Sequence, residues 1–170
     1  MLPSTCDLYD RFEDEVRVLG ASLRDFGSRR RFAGEAVTVK CFEDNSRVKA
    51  LLEQPGTGKV LVVDGGGSTR CALMGDMIAK VALKNGWEGV VIHGCVRDVA
   101  ELAALDLGIK ALGAIPRKSM RRGEGSTDII IDIGGAQVRK GDYVVADEDG
   151  VLILNAVQST TVFGARAQQA

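Results

Sequence analysis

Histidine occurs once in the 170 residues, at position 93. A three-histidine zinc centre is therefore excluded within one chain, and a Ser-His-Asp or Cys-His arrangement must use His93 or not exist. The four cysteines (Cys6, Cys41, Cys71 and Cys95) are scattered, with no C-x-x-C pair. That spacing argues against a zinc ribbon and against a disulfide-stapled secreted domain. No apolar run approaches the roughly 18–20 residues of a membrane span. The first residues, MLPSTCDLYDRFEDE, are acidic where a signal peptide would be basic and then apolar. A surplus of charge is missing too: the net charge is −1 and the sequence pI about 5.9, so nothing marks a nucleic-acid or membrane partner. The expectation is a cytoplasmic protein with no nucleic acid and no membrane among its partners. With 45% hydrophobic and 26% charged residues, residues 1–170 are expected to form one soluble domain with a real core.

Along the chain, Ser4 or Thr5 can cap a helix to about Val16, with Leu8 and Phe12 on one face. Ser28-Arg29-Arg30-Arg31 reads as a solvated turn, or else as a phosphate or RNA contact. Residues 34–41 alternate as a strand, and Asn45 or Ser46 caps a short helix through Leu52 that Pro55-Gly56 closes. Lys59–Asp64 (KVLVVD) is continuously apolar, as in a strand buried on both faces. The Gly65-Gly66-Gly67-Ser68 turn after it invites a dinucleotide or S-adenosylmethionine reading. Position 70 is Arg70, however, where G-x-G-x-x-G needs glycine.

The stretch Gly75–Asp98 (GDMIAKVALKNGWEGVVIHGCVRD) carries the chemistry. Asp76 begins a helix with Met77, Ile78, Val81 and Ala82 as its apolar face, closed by Asn85-Gly86. A buried strand over 89–93, a turn at Gly94-Cys95, and a helix from Arg97-Asp98 to Leu105 follow, then a strand over 109–115. Strand, helix, strand, helix, strand implies parallel crossovers and a layered α/β core. The loop 116–127 (PRKSMRRGEGST), with four basic residues and two glycines, reads as solvated, or else as a loop that orders over a ligand anion; the rest is β-rich, with Asp149-Gly150 as a hairpin turn and a tail from Ala156 that can form a helix.

Asp76 lies at a helix N-terminus, whose free N–H groups can hold a carboxylate. Arg97 and Asp98 lie just past the carboxyl end of the next strand, where open α/β sheets keep their ligands. Two carboxylates and a guanidinium there suit Mg²⁺, which prefers one or two protein carboxylates, waters and substrate oxygens. They equally suit a plain N-cap and a surface ion pair, and the residues alone leave both open.

Five segments resemble the family that includes the regulator of ribonuclease activity A and the 4-hydroxy-4-methyl-2-oxoglutarate aldolases. These are VKCFEDN (39–45), LLEQPGTGKVLVVDGGGS (51–68), NGWEGVVIHGCVRDV (85–99), AIPRKS (114–119) and GDYVVADEDGVLIL (141–154). The aldolase members carry D-x₂₀-R-D, which Asp76, Arg97 and Asp98 match in full. The resemblance implies a three-layer β/β/α swivelling fold and a homotrimer with sites near subunit interfaces. It also implies a class II retro-aldol reaction, with a divalent Mg²⁺ or Mn²⁺ held by Asp98. Backbone N–H groups of Gly75, Asp76, Met77 and Ile78 would bind the carboxylate of a 2-oxo acid substrate. Arg97 would polarise the 2-oxo group, and Asp76 would hold metal-bound water and help proton relay. Oxaloacetate decarboxylation should accompany the aldolase activity. The alternative implied by the same resemblance is a non-catalytic inhibitor that binds an endoribonuclease.

Overall fold

A computed structural model describes residues 2–164 of the chain. Ser4 accepts a hydrogen bond from the Asp7 N–H and starts helix α1 (Thr5–Phe12), shorter than the expected run to Val16. The helix breaks at Glu13, where φ is +49°, and a 3₁₀ turn over Glu13–Glu15 leads to Val16, which is buried. Burial of Val16 beside Leu8 against Leu152 and Leu154 rewards that break.

Strands β1 (Arg17–Val18), β2 (Arg24–Asp25) and β3 (Phe32–Lys40) follow, then helix α2 (Ser46–Leu52) and strand β4 (Lys59–Asp64). Next come β5 (Ala72–Met74), helix α3 (Asp76–Lys84), β6 (Gly89–Val96), helix α4 (Val99–Leu102) and β7 (Gly108–Ala114). The remainder is β8 (Ser126–Thr127), β9 (Ile131–Ile133), β10 (Ala136–Val138), β11 (Tyr143–Ala146), β12 (Val151–Leu154) and helix α5 (Ala156–Phe163). The main sheet runs β1-β12-β11-β3-β4-β6-β7-β2, with β3, β4, β6 and β7 mutually parallel and the outer pairs antiparallel.

Alternation along the central strands builds two cores. Leu61 and Val63 of β4 and Val90 and Ile92 of β6 face a helical layer that supplies Val48, Leu52, Ile78, Ala79, Ala82 and Leu102. Val60, Val62 and Val91 point the other way, onto the β9–β10 hairpin with Ile131, Ile133 and Val138. The result is hairpin, sheet and helices: the three β/β/α layers, with the parallel centre and β-rich C-terminal part expected.

Several local expectations give way to tertiary pairing. Gly94-Cys95 is not a turn; β6 continues through it because β5 pairs alongside, Ala72 with Cys95 and Met74 with Val96. A register shift between Ile92 and Cys95 is all that remains of the glycine signal. Helix α4 stops at Leu102, not Leu105. Met77 does not belong to the buried face of α3; it is 78% exposed, and Ile78, Ala79 and Ala82 do the packing. The 28–31 segment is tied down: Arg29 pairs with Glu88 and Asp106, and Arg31 with Glu148. Among the described residues, no helix is long and apolar enough to cross a membrane.

Candidate active site

The parallel strands end on one side of the sheet in a cleft of about 420 Å³. One wall is the end of β5 and the start of α3, with Met74, Gly75, Asp76, Met77 and Ile78; beside it lie Arg97 and Asp98 from the end of β6. All six residues singled out from the sequence therefore meet in one place. Arg97 is anchored by its own N–H to the Met74 carbonyl (3.0 Å), which brings the ends of β5 and β6 together.

Adjacent side chains normally diverge, and Asp98 is what makes Arg97-Asp98 converge. Its backbone is left-handed (φ +58°, ψ +46°), a conformation that a short polar side chain tolerates better than most. In that turn the Asp98 Oδ2 accepts the Asp76 N–H at 3.1 Å and stands 3.7 Å from the Arg97 Nε. The carboxylate thus occupies the positive end of α3. Gly75 leaves the room: a Cβ there would lie 2.4 Å from the Asp98 Oδ2 and 3.1 Å from the Arg97 Cγ.

Asp76 is turned to Lys80, one helical turn on, at 2.6 Å. That hydrogen bond, with the Met77 N–H in a lesser part, holds the Asp76 carboxyl below the usual carboxylate range. Asp76 is therefore ionised at neutral pH and a weak proton acceptor. The Asp76 N–H serves Asp98 and the Met77 N–H turns to Asp76; among the described residues the Ile78 N–H has no such partner. Lys80 is engaged with Asp76 rather than standing free as an amine nucleophile, and its ammonium form is favoured by that contact.

The loop after β7 supplies the second wall. Most of it is exposed, as expected of a solvated loop, yet Lys118, Ser119, Met120 and Arg121 line the cleft, as does Asn45. Lys118 bridges to Ala72, Met120 bridges to Asp44, and the Met120 carbonyl accepts the Asn45 N–H. Asp44 is the pin. Its carboxylate accepts N–H bonds from Ser46, Arg122 and Glu124 at 2.8, 2.6 and 3.4 Å. Burial pushes the Asp44 carboxyl up, but the Ser46, Arg122 and Glu124 donors outweigh it and hold the group at about 2. Because the folded carboxyl titrates below its ordinary 3.8, this stabilisation is complete above that value and drains away as pH falls towards 2. Asp44→Asn is expected to lower stability by about 2 kcal/mol and to flatten this acid limb, read as urea midpoints between pH 6 and 3. The signals for this wall in the sequence are the four basic residues of 116–127 and the FEDN and PRKS segments of the resemblance; the Asp44 contacts that fix it span more than seventy residues and leave no local trace.

Other candidates lie outside the cleft. The Gly65–Gly67 turn is closed by side chains: Phe42 lies against Gly66 and the His93 ring against Gly67, both glycines having φ near +70°. His93 keeps an unpartnered, buried Nδ1 there, away from the cleft lining. Burial, followed by the nearby Asp44 and Asp64, pushes the Cys41 thiol up to about 12, which excludes a thiolate nucleophile at neutral pH.

Among the described residues, no cluster of three His, Cys, Asp or Glu side chains could enclose a metal ion. The donor set nevertheless fits a hard cation of the magnesium type: two carboxylates, 23% and 34% exposed, on a cleft with space for waters and ligand oxygens. Among the described residues the lining offers no histidine or cysteine, the ligands that zinc centres favour.

A β/β/α sheet protein with an acid–arginine–acid cleft at a helix N-terminus is thus the class that fold and site define. The RraA-like family model, described as Aldolase/RraA, matches residues 5–153, and the chain belongs to that family. It is 55% identical over 149 residues to "Putative 4-hydroxy-4-methyl-2-oxoglutarate aldolase" of Alkalilimnicola ehrlichii, covering 88% of this chain and 92% of that one. Two solved structures are each 45% identical. One is "the RNA-processing inhibitor RraA from Thermus thermophilis", with TM-score 0.87 and coverage of 91% and 93%. The other is described as S-adenosylmethionine: 2-dimethylmenaquinone methyltransferase from Geobacillus kaustophilus, with TM-score 0.88 and coverage of 90% and 95%. Aldolase, inhibitor and methyltransferase are three different activities on one fold, so the site has to decide between them.

Proposed function

We propose that this protein is a divalent-metal-dependent aldolase that cleaves 4-hydroxy-4-methyl-2-oxoglutarate to two pyruvates and also decarboxylates oxaloacetate. The observation that carries the reading is the left-handed Asp98, which aims its carboxylate beside Arg97 at the head of α3. That turn is what makes the two side chains converge on the positive end of α3, where a 2-oxo acid can meet a carboxylate, a guanidinium and helix-end N–H groups together. The names of the aldolase relatives support the same reading.

Asp98, with Asp76 beside it, would hold Mg²⁺ or Mn²⁺. When bound, that cation supplies Lewis-acid stabilisation of negative charge growing on the 2-oxo oxygen. Arg97 supplies a second, fixed positive charge for the same oxygen. The head of α3 orients the adjacent carboxylate, with the Ile78 N–H as an available donor. In the reaction the C4 hydroxyl loses its proton and becomes the carbonyl of one pyruvate. The C3–C4 bonding pair passes into the enolate of the other, which then takes a proton at C3. With oxaloacetate the same bond breaks and CO₂ leaves, generating the same enolate. Asp76, kept ionised by Lys80, holds water at the cleft rather than removing the proton.

The inhibitor reading rests on the likeness to the Thermus protein. The methyltransferase reading has less to stand on, because the glycine turn that would serve a nucleotide is covered by Phe42 and His93. The test is pyruvate release from both substrates by the purified protein with Mg²⁺ or Mn²⁺. Turnover of both is expected. No turnover of either, together with tight binding to an endoribonuclease, would overturn the aldolase in favour of the inhibitor.

A further inference from the structure

Methionine occurs four times in the chain, at positions 1, 74, 77 and 120. Met74, Met77 and Met120 all line the one cleft that holds Arg97 and Asp98, a concentration that an even spread along the chain does not give. Met74 ends β5 and is buried, so packing accounts for it. Met77 and Met120 are 78% and 53% exposed, and packing accounts for neither. Met77 stands on the α3 wall and Met120 on the wall opposite. Apolar surface kept in water and rimmed by polar groups marks a binding groove rather than a core.

The backbone beneath each thioether is held. The Met120 N–H donates to the Glu43 carbonyl at 2.9 Å, and the Met120 carbonyl accepts the Asn45 N–H at 3.2 Å. Met77 belongs to the first turn of α3. Each side chain is unbranched, with three rotatable bonds and a polarizable sulfur, so it adapts its shape to what lies against it. In 4-hydroxy-4-methyl-2-oxoglutarate the carboxylates, the carbonyl and the hydroxyl all take hydrogen bonds or a cation. The C4 methyl takes neither. The arginine, the aspartates and the helix-end N–H groups gain nothing from it, whereas a thioether gains dispersion contact and sheds water.

Resting on the aldolase reading, we propose that Met77 and Met120 close over the C4 substituent of the substrate and make the enzyme selective for 4-alkyl-4-hydroxy-2-oxoglutarates. Selection is by polarity rather than by size. Flexible thioethers follow a methyl or an ethyl group equally well. A hydroxymethyl group, close to ethyl in size, has its hydroxyl desolvated against carbon and sulfur and is disfavoured.

The experiment follows pyruvate release from the 4-methyl, 4-ethyl and 4-hydroxymethyl substrates, whose second products are pyruvate, 2-oxobutanoate and hydroxypyruvate. Wild type is compared with Met77→Gln and Met120→Gln, near-isosteric changes at exposed positions where no core packing is lost. Wild type is expected to handle ethyl within about threefold of methyl and hydroxymethyl roughly tenfold or more below ethyl in kcat/KM. Each variant should bring the ethyl-to-hydroxymethyl ratio towards one, mainly through KM. A second readout is calorimetric binding of 4-methyl-2-oxoglutarate against 2-oxoglutarate, neither of which carries the hydroxyl needed for cleavage. The methyl analogue should bind wild type about fourfold more tightly and lose that advantage in the variants. Hydroxymethyl turned over as well as ethyl by wild type would overturn the proposal and leave the aldolase standing. Losses equal on all three substrates, as when the two thioethers seat a neighbouring subunit instead, would do the same. A wild type that turns nothing over but prefers the methyl analogue through Met77 and Met120 would overturn the aldolase and keep this site. Neither turnover nor binding would sink the two together.

Discussion

Asp98→Ala is expected to reduce pyruvate release from 4-hydroxy-4-methyl-2-oxoglutarate by about a thousandfold or more, which is roughly 4 kcal/mol of transition-state stabilisation. The substitution removes the carboxylate that heads α3 and neighbours Arg97, and with it the main ligand proposed for the cation. Alanine also changes the backbone problem, because a left-handed φ of +58° is less comfortable for it than for aspartate. Asp98→Asn separates the two effects: asparagine accepts that backbone and keeps the shape, losing the charge alone. Both variants should fall together in activity, while Asn stays closer to wild type in thermal stability. Titration with Mn²⁺, followed by the paramagnetic signal of the free ion, provides a readout apart from turnover. Weakened Mn²⁺ binding in both variants is expected, and EDTA should silence the wild-type protein. Full activity in Asp98→Ala, or in EDTA, would end the metal assignment.

Gly75→Ala should cost about a hundredfold in kcat while leaving the fold intact. The backbone of Gly75 is extended (φ −127°, ψ −167°), which alanine adopts freely, so no conformational strain is introduced. The new methyl would sit 2.4 Å from the Asp98 Oδ2 and 3.3 Å from the Arg97 Nε, far inside contact distance. Relief comes cheaply by swinging the two side chains aside, and those side chains are the site. A displacement of about 1 Å is enough to ruin the alignment of reacting groups. Urea midpoints within a few tenths of wild type, with depressed kcat, are the expected pair of results. Wild-type turnover in Gly75→Ala would show that the close approach of α3 to Arg97-Asp98 does not matter to the chemistry.

The central strands were legible because their residues carry the period themselves. KVLVVD over 59–64 can only be buried on both faces, and the structure splits it between the two cores. Helix α3 was legible at both ends, from Asp76 and from Asn85-Gly86. Strand β5 was not, since three residues carry no period and its hydrogen bonds come from β6, some twenty residues away. The extension of β6 through Gly94 was missed for the same reason. Met77 was misplaced because a helical wheel cannot tell the face that meets the sheet from the lip of a cleft.

The sequence by itself determined which chemistry the site could hold: one histidine and no paired cysteines left carboxylates, arginine and helix-end amides as the usable groups. It also determined where these fall, at the start of one helix and the end of the following strand, since caps and strand ends are local properties of the chain. Only the tertiary structure decided that they converge. The left-handed Asp98, the bare Gly75 against it and the Arg97 N–H on the Met74 carbonyl are non-local contacts. The second wall was decided there as well. Asp44 and Asn45 reach across more than seventy residues to Arg121 and Arg122, and a buried carboxylate binding distant backbone N–H groups leaves no periodic trace in the residues it joins.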